Sequence, residues 1–259
     1  FTLIELMIAI ILGLLITAAA VQLYITGQRG MAIQQSAANL QNSASFGFEY
    51  MLRDIRLANL NAVKPVIDPT ILHGGIVLSK ANLSSVNTFT ITGETAANNL
   101  MTQGNIGLSN LQDEKSDQLV IQYRNTIGNS FDCEGNQINL NTYVVERYFV
   151  RTDANGGGTA AERSALACAA SQYESSDTDL EAVATDGIYG SGQIIMKRVD
   201  LFHVRFLVAG KRYMTVAEYN TSVVKPRILA VQLGIIARAP DGSGERSIST
   251  TQEFSLLGQ

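Results

Sequence analysis

The sequence predicts an α+β protein, in which a long N-terminal helical spine leads into an antiparallel β-sheet head. Three observations carry this reading. Phe1 to Thr26 (FTLIELMIAIILGLLITAAAVQLYIT) is an apolar run whose single charge is Glu5, and the first basic residue is Arg29. Beyond it, apolar or small residues recur every three or four positions at Ile33, Ala37, Leu40, Ala44, Phe48, Met51, Ile55 and Ala58. That spacing marks one face of an amphipathic helix. After Pro65 the helical period disappears, and short β-rich runs alternate with Gly, Asn, Asp and Ser clusters.

The spine divides in two. Roughly 20 apolar residues cross the hydrocarbon core of a bilayer as a helix, so residues 1–28 are read as a transmembrane half. An ionised carboxylate inside such a segment costs roughly 2.5–3.5 kcal/mol at mid-membrane, which makes Glu5 a candidate functional residue. Residues 29–61 continue the helix as an amphipathic half packed on the head. Its polar face carries Gln34, Gln41, Asn42, Glu49, Arg53 and Arg56, with Glu49 and Arg53 in the favourable i,i+4 order. Pro65 and Pro69 close the pattern. One helix is therefore expected from Phe1 to about Asn61, on the order of 90 Å long. Gly13, Gly27 and Gly30 are positions where it is weakest.

Residues 62–259 form the head. Strands are expected near Gly75–Ser79, Thr88–Thr92, Gln118–Arg124, Thr142–Arg151, Ile194–Val208, Ile228–Ala239 and Ser247–Phe254, with a bend or bulge near Asp200. Val144, Glu146, Tyr148 and Val150 alternate with Val145, Arg147, Phe149 and Arg151, a half-buried pattern. Thr215-Val216-Ala217-Glu218 has capping-box spacing and predicts a short helix. Long polar loops are read from about Thr95 to Ser116 and from Asp153 to Ile188. No repeat of 20–50 residues is visible, which argues against a solenoid.

Of the 259 residues, 46% are apolar and only 16% charged, a low charge density for a fully soluble protein. The net charge of −4 gives no global attraction to nucleic acid or anionic lipid, and no nucleic-acid partner is expected. The residues offer no catalytic constellation, so the chain is read as an assembly protein without a cofactor rather than an enzyme. His73 and His203 lie in separate segments, and no G-x-S-x-G, H-E-x-x-H or P-loop pattern occurs. Gly187-Ile188-Tyr189-Gly190-Ser191-Gly192 is read as a connector. Asp153-Ala154-Asn155-Gly156 starts like a calcium loop, but Ser164 stands where the bidentate Glu belongs, so a turn is the preferred reading. Asn82-Leu83-Ser84 and Asn220-Thr221-Ser222 match glycosylation sequons, which carry little weight in a bacterial export context.

Cys133 and Cys168 are the chain's two cysteines. A membrane-anchored chain with an exported head lies where disulfides form, and one strand out and back would bring the two together. Their bond would close a loop of about 35 residues, worth roughly 4 kcal/mol in the chain-entropy model. The competing reading is two buried free thiols.

Three accounts of the N-terminal run compete. A secretory signal peptide needs a basic n-region, which is lacking, although Ala18-Ala19-Ala20 has the composition of a cleavage site. A plain anchor explains the length and leaves Glu5 idle. The third account is a family resemblance: Phe1-Thr2-Leu3-Ile4-Glu5-Leu6 resembles the mature start of type IV pilin-like proteins. That resemblance implies a type IV pilin-like fold, cleavage by a prepilin peptidase after a glycine, and N-methylation of Phe1. A negative charge in the first turn also suits the helix dipole. The candidate cations for Glu5 are α-amino groups, either that of its own Phe1 or that of a neighbouring subunit. The family implies the second during assembly, and the residues leave both open.

The head resembles PilW-type minor pilins through Ser116-Asp117-Gln118-Leu119-Val120-Ile121-Gln122-Tyr123, Asp132-Cys133-Glu134-Gly135, the second cysteine after an alternating strand, and Arg53-Asp54-Ile55-Arg56-Leu57-Ala58. The resemblance implies a scarce subunit that primes pilus assembly. It would sit in the inner membrane with a periplasmic head before assembly, and at or near the filament tip afterwards. Implied partners are other minor pilins and the major pilin through the helix, and a tip adhesin, in a fimbrium serving twitching motility and cell adhesion. The J-type minor pseudopilin of type II secretion is the nearest alternative. A signal-anchored periplasmic enzyme or ligand-binding protein is the alternative of another class.

Overall fold

The computed structural model describes residues 2–60, 62, 64–85, 89–91, 94, 100–159, 163–180, 188–210, 212–238 and 247–255. Helix α1 (Leu3–Leu57) runs unbroken for 55 residues, through all three glycines flagged as weak points. It ends before the expected Asn61, which lies outside the described residues. Contacts with the head, not Pro65, stop it. Asn59 turns to φ 66°. Its N–H donates to the Gln122 carbonyl (3.3 Å) and its side-chain oxygen accepts the Gly75 N–H (3.1 Å).

The head contains β1 (Thr90–Ile91), β2 (Gln103–Gly107), β3 (Ser116–Arg124), β4 (Ser130–Phe131), β5 (Gln137–Ile138), β6 (Tyr143–Thr152), β7 (Ser164–Tyr173), β8 (Asp179–Leu180), β9 (Gln193–Lys197), β10 (Val199–Val208) and β11 (Arg212–Thr215). Helix α2 (Val216–Thr221), β12 (Ile228–Arg238) and β13 (Ser247–Ser255) complete it. Two antiparallel sheets dominate, with orders β2-β3-β6-β7-β9 and β11-β10-β12-β13. A two-residue parallel pair joins β1 to β8, and β4 with β5 makes a small hairpin. The α+β reading therefore holds, with a helical spine and an antiparallel head.

Several boundaries differ from expectation. The run Ile194–Val208 is two strands in two sheets. Arg198, at φ 59°, breaks it, so that β9 edges the first sheet and β10 enters the second. The irregularity foreseen near Asp200 is present, as a register shift between Val199 and Leu201. Gly75–Ser79 is not a regular strand but an isolated bridge, Ile76 to Ile121, flanked by the Val77 N–H donating to the Val120 carbonyl (2.9 Å) and the Gln122 N–H donating to the Gly75 carbonyl (3.0 Å). Thr88, Thr92 and Ala239, the outer limits of two expected strands, lie outside the described residues. β7 sits inside what reads as a loop, because Ser-Ala-Leu-Ala-Cys-Ala-Ala-Ser is buried on both faces and shows no alternation of period two. Helix α2 forms as its capping box predicts, with the Glu218 N–H donating to Thr215 Oγ1 (3.2 Å).

The core lies between the second half of α1 and the inner faces of both sheets. Leu40, Ala44, Phe48, Met51 and Ile55 are buried there with Tyr148, Leu166, Met196, Phe202, Val204 and Leu233. Ile33 and Ala37 are half-buried at the edge of the contact. Each large apolar side chain so buried contributes roughly 1.5–3 kcal/mol, enough to hold the helix on the head. Gly47 marks the closest approach. A Cβ there would stand 3.2 Å from Met196 Cβ and 3.3 Å from the Ile195 carbonyl oxygen, so α1 and β9 leave little room for a side chain.

Candidate functional site: the apolar spine and its junction with the head

Every described residue from Thr2 to Arg29 is solvent-exposed, although Leu, Ile, Ala and Val dominate the segment. The helix containing it is long and apolar enough to cross a membrane. An apolar surface of this size in water would aggregate, so it requires lipid or other helices around it. Glu5 has an intrachain partner that the sequence reading passed over. Its Oε2 accepts the Thr2 backbone N–H (2.8 Å) and the Thr2 hydroxyl (3.1 Å). The Glu5 N–H in turn approaches Thr2 Oγ1 (3.4 Å). This is a capping box, and its T-x-x-E spacing is the same signal used to place α2. Phe1, expected to be N-methylated and a possible partner of Glu5, lies outside the described residues.

The opposite end of the spine is fastened by a buried polar network. Cys133 and Cys168 form a disulfide, as expected, with Cα atoms 6.1 Å apart. Each residue of the Asp132–Gly135 motif has a task. Asp132 Oδ1 accepts the N–H groups of Glu134 (2.9 Å) and Asn136 (2.8 Å), which fixes the turn between β4 and β5. Gly135 takes φ 86°, where a glycine costs least. Glu134 Oε2 accepts the Ala170 N–H on β7 (2.8 Å), beside the disulfide.

Behind the disulfide lies Glu146, fully buried on β6. Its Oε1 accepts the Cys133 N–H (3.1 Å) and the Tyr123 hydroxyl (3.2 Å). Its Oε2 is 3.0 Å from the Tyr148 hydroxyl, which is also 3.3 Å from Asp54 Oδ2 on α1. One hydroxyl proton cannot serve two carboxylate oxygens, so a second proton must sit on one carboxyl for both contacts to be hydrogen bonds. Arg53 Nε lies 3.1 Å from Asp54 Oδ1 and favours the charge there. Burial, followed by the nearby Asp54 charge, pushes Glu146 up to about 8. The second proton therefore belongs on Glu146. Burial also raises Asp54, against the pull of Arg53. From α1, Tyr50 adds a hydroxyl donation to the Cys133 carbonyl (3.3 Å). Helix, sheet and disulfide thus share one hydrogen-bonded junction.

That junction was only partly legible. Glu146 is in phase with Tyr148 and Val150, so the alternation already placed an acid on the same face as core residues. Nothing in the sequence says which hydroxyls meet it. Cys133, Glu146 and Cys168 also cluster closely enough to suggest metal ligands, but the sulfurs are consumed by the disulfide.

The remaining candidates have partners within the head. His203 Nδ1 lies 3.2 Å from Asp117 Oδ2, and its Nε2 lies 3.5 Å from Glu114. The Asp117 hydrogen bond raises its pKa above the ordinary imidazole value, against burial. His73 stacks on Tyr143 at 3.7 Å, and burial lowers its pKa to about 4. Asp153 accepts the Asn155 N–H (3.0 Å) in a turn, 4.0 Å from Lys197 Nζ, so the calcium-like start is a turn with a cation beside it. Asn82 is buried, and its side chain holds Leu78, Ser79, Asp68 and Ile71 by hydrogen bonds, which is unlike a glycosylation acceptor. Ile188–Gly192 of the glycine-rich connector is non-regular, while Gly187 lies outside the described residues.

No protein-family model matches the chain, and no match to a curated protein was found.

Proposed function

We propose that this chain is a structural subunit of a type IV pilus, of the minor-pilin class, which primes filament assembly and stays at or near the tip. The observation that carries the reading is the single continuous helix. Its first half is apolar and exposed, with Glu5 as its one charge, and its second half is built into the head. Such a spine can leave lipid for a bundle of like helices without exchanging an apolar environment for water. The head stays fixed to it through the buried face and the polar junction, so force applied to one reaches the other.

Before assembly, the reading places the chain in the bacterial inner membrane with the head in the periplasm, where the disulfide forms. Glu5 would then exchange or extend its Thr2 contact toward the α-amino group of a neighbouring subunit. Partners would be other minor pilins and the major pilin through the helix, and prepilin peptidase on the precursor. This reading calls for no enzymatic activity and no cofactor.

The genetic test is deletion of the gene in its own organism. Surface pili should fall sharply, and blocking retraction should partly restore them, because initiation alone has become inefficient. Normal piliation with a secretion defect would move the protein to the J-type pseudopilin. Normal piliation and normal secretion together would refute both.

A further inference from the structure

We infer that a cleft at the head end of α1 is a docking site for a segment of another polypeptide that places a large apolar side chain next to an Asp or Glu. The cleft has a volume of about 290 Å³ and lies between the last turn of α1, the end of β3 and the β3–β4 loop. At 1.5 Å per residue, Arg53 stands roughly 75 Å along the spine from Leu3, remote from the lipid-facing half. The site is independent of the Glu5 end and of how the helix assembles.

Three apolar side chains converge on it and remain exposed: Leu60 at 45%, Ile127 at 65% and Phe131 at 55%. Scattered single apolar residues need no explanation, but three lining one cleft form a surface that gains by being covered. The β3–β4 loop, which carries Ile127 and leads into Phe131 on β4, is held in shape. Asn125 Oδ1 accepts the Ile127 N–H (3.2 Å) and the Ser130 hydroxyl (2.8 Å), while its Nδ2 donates to the Asn139 carbonyl (2.9 Å). A pre-formed cleft loses little conformational freedom when it binds.

The charge of the cleft selects the partner. Arg53 and Arg124 both line it with one acid, the buried Asp54, which leaves an excess of positive charge on a chain whose net charge is −4. Arg53 spends Nε on Asp54, yet its side chain is mostly exposed. Arg124 Nε is buried, so the part of this guanidinium that a docking segment could meet is its outer, terminal edge. Two guanidinium groups beside an apolar wall suit a carboxylate adjoining an apolar side chain, since Arg pairs with carboxylates through fork-like hydrogen bonds.

The test uses the full chain in non-ionic detergent with isotope-labelled isoleucine methyl groups. The probe is N-acetyl-Ala-Phe-Asp-Ala-amide. Controls replace its Asp by Asn or its Phe by Ala. The Asn peptide partitions into micelles at least as well, so it separates docking from detergent uptake. A saturable shift of the Ile127 methyl is expected, with affinity about tenfold weaker for either control. The variants Arg124→Gln and Arg53→Gln should each weaken binding of the Asp peptide by a similar factor. Arg53→Gln also removes the ion-pair partner of Asp54, so a single cooperative thermal transition, shifted or not, is what confirms its fold. No saturable shift at about 5 mM peptide, or equal affinity for the Asp and Asn peptides, would overturn the assignment. So would undiminished binding in both folded variants.

Discussion

Replacing Glu146 with Gln should remove most of the head's loss of stability between acidic and mildly alkaline pH. In the fold, Glu146 holds its proton up to about 8, chiefly because burial penalises the charge. In the unfolded chain it ionises near the ordinary 4.5. The sign follows from proton counting. Between these values the native state binds the extra proton, so stability is full below 4.5 and is lost as pH rises through 8. At 1.36 kcal/mol per pKa unit, the loss is on the order of 3–5 kcal/mol, a large share of a domain's stability. Gln reproduces the neutral acid. Its carbonyl can accept the Cys133 N–H and the Tyr123 hydroxyl, and its amide can donate to Tyr148. At pH 5 the variant should lie within about 1 kcal/mol of wild type, and at pH 9 it should be more stable by roughly 3 kcal/mol. His203 titrates with the same sign, because its raised pKa also makes stability fall with rising pH, but it cancels in the difference between the two proteins. The assay is urea unfolding in detergent from pH 5 to 9, followed by near-ultraviolet circular dichroism of the nine tyrosines. Parallel pH profiles for wild type and variant would show that Glu146 holds no proton in the fold.

Three further outcomes are expected. Glu5→Gln keeps the capping geometry without the charge, whereas Glu5→Ala loses both. If an intersubunit ion pair is the role of Glu5, both variants should insert normally and fail to assemble; assembly by Glu5→Gln at wild-type levels would leave only the capping role, worth about 1 kcal/mol. The double variant Cys133→Ala, Cys168→Ala should lose roughly 4 kcal/mol against denaturant, and an unchanged midpoint would contradict the loop-closure account. Deleting residues 1–28 should leave a soluble head with the Leu40–Ile55 face still packed on it, which sedimentation after membrane removal would check.

The long elements were legible because their signals are local. The apolar run, the three-to-four spacing from Ile33 and the Thr215–Glu218 box all act within one or two turns of chain. β7 was missed because a strand covered on both faces needs no alternation, and its Ala and Ser residues carry little β preference. The end of α1 was misplaced because Asn59 is captured by Gly75 and Gln122, contacts that no local pattern encodes. The disulfide was foreseen from compartment and chain return. The Asp54–Tyr148–Glu146 contacts behind it were not, since they join residues as many as 94 positions apart. The Thr2–Glu5 cap was a different failure. Its T-x-x-E spacing is local and as readable as that of Thr215–Glu218, but an acid in an apolar run also fits an ion pair.

The central claim is that this is a scarce priming subunit, and stoichiometry in sheared, purified filaments tests it most directly. Quantitative mass spectrometry against labelled standards, with gold labelling of the head, should find a few copies per filament confined to one end. Finding this chain as the dominant subunit along the shaft would contradict the account.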